Sequence, residues 1–310
     1  MQKKFFPTTG QCDRAGLLAL IDDYLKALVM KDPAGLPLAE AVKYTENTAA
    51  IPVGDGLWVA ASKGPTAFRI YAADVPAGQV GFFGVMEEFG EPIILAVRLK
   101  VVGGKITEIE HVVARRISET EMRNLVKPRP GFLQAVPSSE RVSRQEMLQI
   151  ANSYFESVEQ CNGDLAPFAV DTERHENGKQ TTTNKPPDPA SFGSSEREQQ
   201  KLAMGRIDAL GVRDQMNCRI LSYITRIQPR RLLIVDEEMG LVYGFPMFIH
   251  RGNVRTIQII GVPGVDTVPM LFGPFNLQAG EIFKIRGGQI HEIEANGCLL
   301  PYGSRSGWDE

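Results

Sequence analysis

Apolar positions in the first part of the chain follow two different periods, which predict a helix and then a sheet. From Leu17 to Leu28 apolar residues recur at helical spacing, which indicates a helix of about four turns that ends after Met30. Segments with the alternating, β-branched character of half-buried strands follow at 42–46, 80–87, 93–102 and 106–115. The pattern therefore predicts an α+β unit with one long N-terminal helix and antiparallel strands.

The same pattern occurs twice along the chain. Tyr24–Asn47 aligns without a gap with Tyr154–Asn177, and GGKITEIE at 103–110 returns as GGQIHEIE at 287–294. A second long helix is predicted at 144–160, where Ser143 and Glu146 have the spacing of a capping box. We therefore interpret the chain as a tandem duplication, with copy one at 1–116, a linker at 117–142 and copy two at 143–310.

Copy two is longer than copy one because of insertions near 178–205 and 250–271. The first is crowded with Pro, Ser and Gly and predicts a loop, which is either a lid or a disordered excursion. We expect the second insertion to extend a hairpin.

Two aspartates also recur at matched positions. AADVPAGQV around Asp74 aligns with IVDEEMGLV around Asp236, and a Gly-containing turn follows each aspartate. We interpret both as turn residues.

Composition narrows the functional class. The 310 residues are 43% apolar and 23% charged, with a formal net charge of -3, which is typical of a soluble globular protein and argues against a nucleic-acid partner. Four cysteines without CxxC spacing predict neither a zinc site nor a disulfide framework, so we expect a reducing, cytoplasmic location. No apolar run is long enough to span a bilayer, so no membrane partner is expected. Motifs for nucleotide binding, zinc proteolysis and the α/β-hydrolase triad are missing.

The order of helix, short helix, strand, helix and three strands that end in a Gly-Gly turn and an I-x-E-I-E strand resembles the nuclear transport factor 2-like superfamily. This superfamily includes ketosteroid isomerase, scytalone dehydratase and the polyketide cyclases. The resemblance implies two tandem cone-shaped α+β barrels, each a curved antiparallel sheet around its long helix. It also implies an apolar pocket for a small ligand, with no metal and no organic cofactor. Members often dimerise through their sheets, so the duplication implies a pseudo-dimer within one chain and a possible homodimer.

Few catalytic residues carry over from this resemblance. In ketosteroid isomerase a tyrosine on the first helix stabilises an oxyanion, and a carboxylate at the end of the first strand moves the proton. Tyr24 and Tyr154 match the tyrosine approximately, and Glu46 and Glu176 match the carboxylate. No residue of the sequence matches the second, protonated oxyanion donor.

Strand alternation places Glu46 and Glu176 on the face that the resemblance turns toward the pocket. A carboxylate in an apolar cone has its pKa raised toward the range of a general base. The alternative is that each Glu-Asn pair begins a turn and that the carboxylate accepts local backbone hydrogen bonds.

Three histidines are further candidates. His175 lies beside Glu176 on the opposite strand face, and a register shift of one residue would bring it into the pocket. His111 and His291 lie on the final strand of each copy, on the face that the resemblance turns inward. For all three the alternative is a structural role, either solvated or packed in the sheet.

Aromatic and basic residues are expected to complete the ligand site. Tyr44 and Trp58 could form an aromatic wall, although core packing explains them equally well. Arg219 and Tyr223 share one face of a strand predicted at RILSYITRI, where an inward arginine would suit an anionic oxygen. An outward arginine between the copies is the alternative.

These observations lead to the expectation of a cofactor-free acid/base enzyme, a lyase, dehydratase or isomerase. Its substrate would be a small apolar carbonyl, hydroxy or aromatic metabolite. Glu46 or Glu176 would move a proton, while Tyr24 or Tyr154, with His111 or His291, would hold the oxyanion. Two alternatives stay open, a non-catalytic protein that binds a small hydrophobic ligand and a pseudo-dimer in which one copy is structural.

Overall fold

The computed structural model describes residues 12–308, which form two sheets, each preceded by a long helix. The helices are α1 (Arg14–Met30), α2 (Leu57–Ala60), α3 (Glu119–Met122), α4 (Arg144–Gln160), α5 (Glu196–Asp208) and α6 (Val212–Asn217). The first sheet contains β1 (Leu38–Glu46), β2 (Ala49–Ala50), β3 (Ala61–Lys63), β4 (Arg69–Asp74), β5 (Gln79–Glu88), β6 (Glu91–Val102) and β7 (Lys105–Ala114).

Copy two repeats this arrangement with additional strands. Its sheet contains β8 (Phe168–Glu176), β9 (Lys179–Gln180), β10 (Arg226–Ile227), β11 (Leu232–Asp236), β12 (Leu241–Gly244), β13 (Met247–His250), β16 (Phe275–Arg286) and β17 (Gln289–Pro301). A separate hairpin is formed by β14 (Thr256–Gln258) and β15 (Thr267–Pro269). This hairpin lies in the second predicted insertion, and it is a separate two-stranded sheet and not part of the eight-stranded sheet.

The second long helix has the bounds that the sequence predicts, and the first ends after Met30 as predicted but begins at Arg14, before the apolar pattern starts at Leu17. Each helix has a defined cap at both ends. Asp13 accepts a hydrogen bond from the Gly16 N–H at the start of α1, and Ser143 accepts one from the Glu146 N–H at the start of α4. Lys31 and Cys161 end the helices in the left-handed conformation. The apolar side of each helix packs on its own sheet, and the first sheet curls around α1 as a half-barrel.

Each sheet is mixed, so the expectation of purely antiparallel sheets was wrong. Strand β1 runs parallel to β7, and β8 runs parallel to β17, whereas all the other pairings are antiparallel. The first strand of each copy lies beside the last strand and runs in the same direction. The pattern of apolar and polar residues in a strand does not determine whether its neighbour is parallel or antiparallel.

Two segments differ from their predicted structure. The first insertion is a loop only as far as Ser195, since α5 follows it. The strand predicted around Arg219 was also wrong, because residues 218–223 form turns after α6 and the nearest strand begins at Arg226.

The two sheets pack against each other through an apolar cluster from both copies. Its largest members are Phe68, Phe83, Phe132, Tyr243 and Phe245. Phe132 belongs to the predicted linker, which is therefore part of the packed structure. No helix among residues 12–308 is long and apolar enough to cross a membrane.

Reciprocal ion pairs fix the two copies at the edge of this cluster. Arg14 donates to Asp236 at 2.7 Å, and Arg144 donates to Asp74 at 2.7 Å. Each aspartate also accepts a backbone N–H of the other copy and one from its own turn, and both are buried. The interpretation of Asp74 and Asp236 as turn residues is therefore correct but incomplete, since they also join the copies.

Candidate functional site

Copy two contains an apolar cavity of about 170 Å³ between α4, β16, β17 and residues 221–224. Its walls are mainly aromatic and aliphatic, and include Tyr154, Val158, Tyr223, Phe248, Phe275 and Leu277. Two carboxyl groups, those of Glu176 and Glu281, face this space. The cavity is thus an apolar pocket with a small number of polar groups, which is the usual composition of a small-molecule site.

Glu281 is the most unusual group in the cavity. It lies in the middle of β16 and is 2% exposed, and its Oε2 atom has no hydrogen-bond partner. Burial raises the pKa of Glu281 to about 8, and the neighbouring Glu176 carboxylate adds to this effect, while Arg174 and a hydrogen bond with Tyr154 oppose it. At neutral pH Glu281 is therefore a carboxylic acid with a proton to donate.

Arg174 is buried next to the cavity and contacts the polar side chains that line it. Its Nε donates to Thr181 Oγ1 at 3.0 Å and lies 3.1 Å from Glu176 Oε1, and its Nη1 donates to the Tyr154 hydroxyl at 3.4 Å. Gln215, on α6, accepts from Nη2. Since the guanidinium donates to the Tyr154 oxygen, the Tyr154 hydroxyl can direct its own hydrogen to Glu281, with which it is hydrogen-bonded. Burial, and then Glu281, raises the pKa of Tyr154 and keeps it a phenol.

Glu176 lies at the cavity as predicted, with its side chain 47% exposed. The adjacent Asn177 has a positive φ and exchanges two hydrogen bonds with the Gly297 backbone. In copy one Asn47 makes the same exchange with Val113. The repeated Glu-Asn pair therefore combines a structural asparagine with a glutamate whose surroundings differ between the copies.

In copy one the corresponding space is filled by a chain of hydrogen-bonded side chains. Tyr24 contacts His111 Nε2 at 2.9 Å, His111 Nδ1 contacts the Tyr44 hydroxyl at 3.1 Å, and Tyr44 donates to Glu46 Oε2 at 3.1 Å. The Trp58 ring packs edge-on against Tyr24. Tyr24, Tyr44, Trp58 and His111 are all buried, so these predicted site residues form the interior of copy one.

The chain has a single consistent direction of donation. Burial lowers the pKa of His111 to about 4, so the ring is neutral at physiological pH. Because Tyr44 donates its own proton to Glu46, the His111 Nδ1–H donates to Tyr44, and His111 Nε2 accepts from Tyr24. Every proton in the chain is therefore already used within the protein.

Glu46 does not behave as the apolar-cone argument predicts. Burial disfavours its ionised form, but His111, the Leu57 N–H at 2.7 Å and Arg115 at 3.1 Å outweigh burial and lower its pKa. The expected rise in pKa was therefore wrong for Glu46. The carboxyl group with a raised pKa in the cavity is instead that of Glu281, which the sequence analysis did not identify.

Substitutions at matched positions explain why one copy is filled and the other is open. Tyr44 and Arg174 occupy equivalent places in the gapless repeat. His111 and Ala295 each follow the last glutamate of the repeated Gly-Gly segment, and their cross-strand partners are Val97 and Glu281. Copy two thus exchanges a central imidazole for a methyl group and an apolar partner for a carboxyl group.

Three other predicted residues lie away from the cavity. His175 is on the opposite face of β8, where its Nε2 lies 2.6 Å from Glu173. His291 was expected to face inward, but it contacts Asp171 at 2.8 Å in a groove outside the cavity. A bulge between Ile290 and Glu292 interrupts the alternation there, which turns His291 away.

Arg219 is the third of these residues. It is exposed in a turn with a φ of 72° and does not line the cavity, whereas Tyr223 does. The strand alternation used to pair Arg219 with Tyr223 does not apply in a turn.

One sequence signal could have revealed Glu281. The inward positions of β16 are Phe275, Leu277, Ala279, Glu281 and Phe283, so a single charged residue interrupts an apolar face. A lone carboxyl on such a face requires either a partner or a function. Among residues 12–308 no group of three or more His, Cys, Asp or Glu has the arrangement of metal ligands.

Fold and site together define a duplicated α+β protein with a filled first copy and a ligand-sized cavity in the second. A family model described as "Domain of unknown function (DUF8021)" matches residues 140–297, just over half of the chain, so the chain belongs to this family. The match begins just before α4 and extends into β17, and so coincides with copy two. No curated protein matches the chain.

Proposed function

We propose that copy two is a nuclear transport factor 2-like cone that acts on a small apolar compound by acid/base chemistry. The enzyme would be a lyase, dehydratase or isomerase, and its substrate would carry a hydroxyl or carbonyl group. The observation that carries this proposal is Glu281, a buried carboxylic acid with one oxygen that has no hydrogen-bond partner, in one apolar cavity with Glu176. Such a pair suits opposite roles, because one group can donate a proton while the other accepts one.

The roles follow from the contacts of each group. Glu281 donates its proton, or a hydrogen bond, to the substrate oxygen, and Tyr154 supplies a second donor because Arg174 already occupies its oxygen. Glu176, held by Arg174, removes a proton from the carbon next to the oxygen-bearing carbon. Glu281 would then be the second, protonated donor that the resemblance to ketosteroid isomerase implies.

For a hydroxy substrate these steps balance as a dehydration. Glu176 takes the proton from carbon, the electrons of that C–H bond form the C=C bond, and the C–O bond breaks. The leaving hydroxyl takes the Glu281 proton and departs as water. For a carbonyl substrate the same two groups shift a proton through an enol without loss of water.

Cavity size limits the substrate. A cavity of about 150 Å³ lined by apolar side chains is known to bind benzene, and the copy-two cavity is about 170 Å³. We therefore propose a substrate about the size of one ring. Copy one would serve as the structural half of an intramolecular pseudo-dimer, as its filled interior and the shared apolar cluster suggest.

The test is to incubate the purified protein with a small-molecule extract of its host and follow the extract by liquid chromatography and mass spectrometry. We expect one compound to lose water or to change retention at constant mass. Glu281→Gln and Glu176→Gln should abolish this change, whereas Glu46→Gln in copy one should retain it. A compound that is bound but never converted would instead support a binding protein, and equal activity in Glu281→Gln would refute the assignment.

A further inference from the structure

An exposed apolar loop adjoins the mouth of the cavity. Leu271 and Phe272, between β15 and β16, are 77% and 55% exposed. The Phe272 ring packs against Phe275 with a centroid distance of 6.2 Å, and Phe275 lines the cavity. An aromatic pair thus connects solvent with the apolar interior of the site.

Two arginines flank this loop. The Met270 N–H donates to the Arg255 carbonyl at 3.0 Å, and Gly252 packs closely on Pro274, so residues 251–255 lie directly beside residues 270–274. The side chains of Arg251 and Arg255 are exposed, and neither forms an ion pair with a carboxylate of residues 12–308. The rim of the cavity therefore combines an apolar tip with uncompensated positive charge.

We propose that this rim, formed by Arg251, Arg255, Leu271 and Phe272, docks on the surface of an anionic lipid bilayer. Apolar and aromatic tips enter the headgroup region, while arginines interact with lipid phosphates. Uncompensated arginines beside the tip complement an anionic surface, and this charge favours a bilayer over an apolar protein groove. The rim differs from the expectation of no membrane partner, which rested only on the lack of a spanning segment.

Docking through this rim would place the mouth of the cavity against the bilayer, which would supply the cavity with its ligand. A small apolar compound dissolves in the bilayer, and the Phe272–Phe275 pair gives it a short apolar route into the cavity. This route rests on the proposed ligand site, but the docking itself does not require turnover.

The experiment is co-sedimentation of the full chain with vesicles of phosphatidylcholine, with and without phosphatidylserine. We expect binding to the anionic vesicles only, and weaker binding as salt rises. Arg251→Gln with Arg255→Gln should lower the affinity roughly fivefold per arginine, and Leu271→Ser with Phe272→Ser should also weaken it. Glu281→Gln should bind vesicles like the wild type, which separates this proposal from the proposed function.

Matched controls come from copy one. Phe89 is 76% exposed in the turn between β5 and β6, and Phe89→Ser should leave vesicle binding unchanged. Lys105→Gln with Arg116→Gln removes two exposed positive charges, as the double arginine variant of the rim does. This control should leave vesicle binding nearly unchanged. Failure of the wild type to bind anionic vesicles, or equal losses in rim and control variants, would overturn the proposal.

Discussion

The buried acid Glu281 makes the stability of the protein depend on pH in a way that one substitution can isolate. Its pKa rises from an ordinary 4.5 to about 8 in the folded protein. Below the pKa that Glu281 has in the unfolded protein, the folded and unfolded states both carry the proton. Between the two pKa values only the unfolded state has released it. The free energy of unfolding therefore falls as pH rises through this window. Full ionisation would cost on the order of 5 kcal/mol, because a tenfold change in the proton equilibrium corresponds to about 1.4 kcal/mol.

Glu281→Gln replaces the acid with a neutral group of the same shape. We expect the variant and the wild type to be similarly stable at about pH 5. The variant should become more stable than the wild type by several kcal/mol at about pH 9. Glu294 is also buried, with its pKa raised to about 8 by burial, but it is common to both proteins and cancels in their difference.

The assay is urea unfolding, followed by the fluorescence of Trp58 and Trp308, at intervals from about pH 5 to pH 9. Glu46→Gln is the control, because the pKa of Glu46 is lowered and its contribution is constant above the unfolded value. The difference in the free energy of unfolding between Glu46→Gln and the wild type should not change with pH across this range. A flat difference for Glu281→Gln, or the same slope in both variants, would refute the claim that Glu281 is protonated in the folded cavity.

Two further predictions concern the filled copy and the junction between copies. Trp58→Ala should lower the free energy of unfolding by about 3 to 5 kcal/mol, because it leaves a cavity beside Tyr24. The activity proposed for copy two should be retained, and its loss would contradict separate roles for the copies. Arg144→Met should lower the free energy of unfolding in urea by roughly 2 to 4 kcal/mol, because Asp74 is left buried without its cation. Arg14→Met should have a similar effect, because Asp236 loses its cation in the same way. A negligible effect of both arginine variants would show that these ion pairs do not hold the copies together.

Local features of the fold could be predicted because local chemistry determines them. Ser143 caps the second long helix as its spacing to Glu146 indicated, and both long helices end where the sequence predicts. The parallel pairing of β1 with β7 could not be predicted in the same way, because strand patterns define faces but not directions. The contact between Arg144 and Asp74 joins two copies that are far apart in sequence, and no local pattern reports it.

The candidate site was predicted only in part, for related reasons. Tyr154 and Glu176 line the cavity, as alternation and the repeat indicated. A bulge displaced His291 and turns displaced Arg219, because alternation fails wherever a strand is interrupted. Glu281 was missed because comparison of the copies was used to find shared residues, and Glu281 is not shared. The difference between copies therefore carried the stronger functional signal.

We predict that copy two holds a ligand and that copy one does not. The most direct measurement is a crystal structure of protein purified from its own host, with any retained small molecule identified by native mass spectrometry. We predict a bound compound about the size of one ring, with an oxygen within hydrogen-bond distance of Glu281 and Tyr154. We also predict that the Tyr24–His111–Tyr44 chain is intact in the same molecule. A ligand between Tyr24 and Trp58, or a copy-two cavity filled by its own side chains, would contradict a ligand site in copy two and a filled interior in copy one.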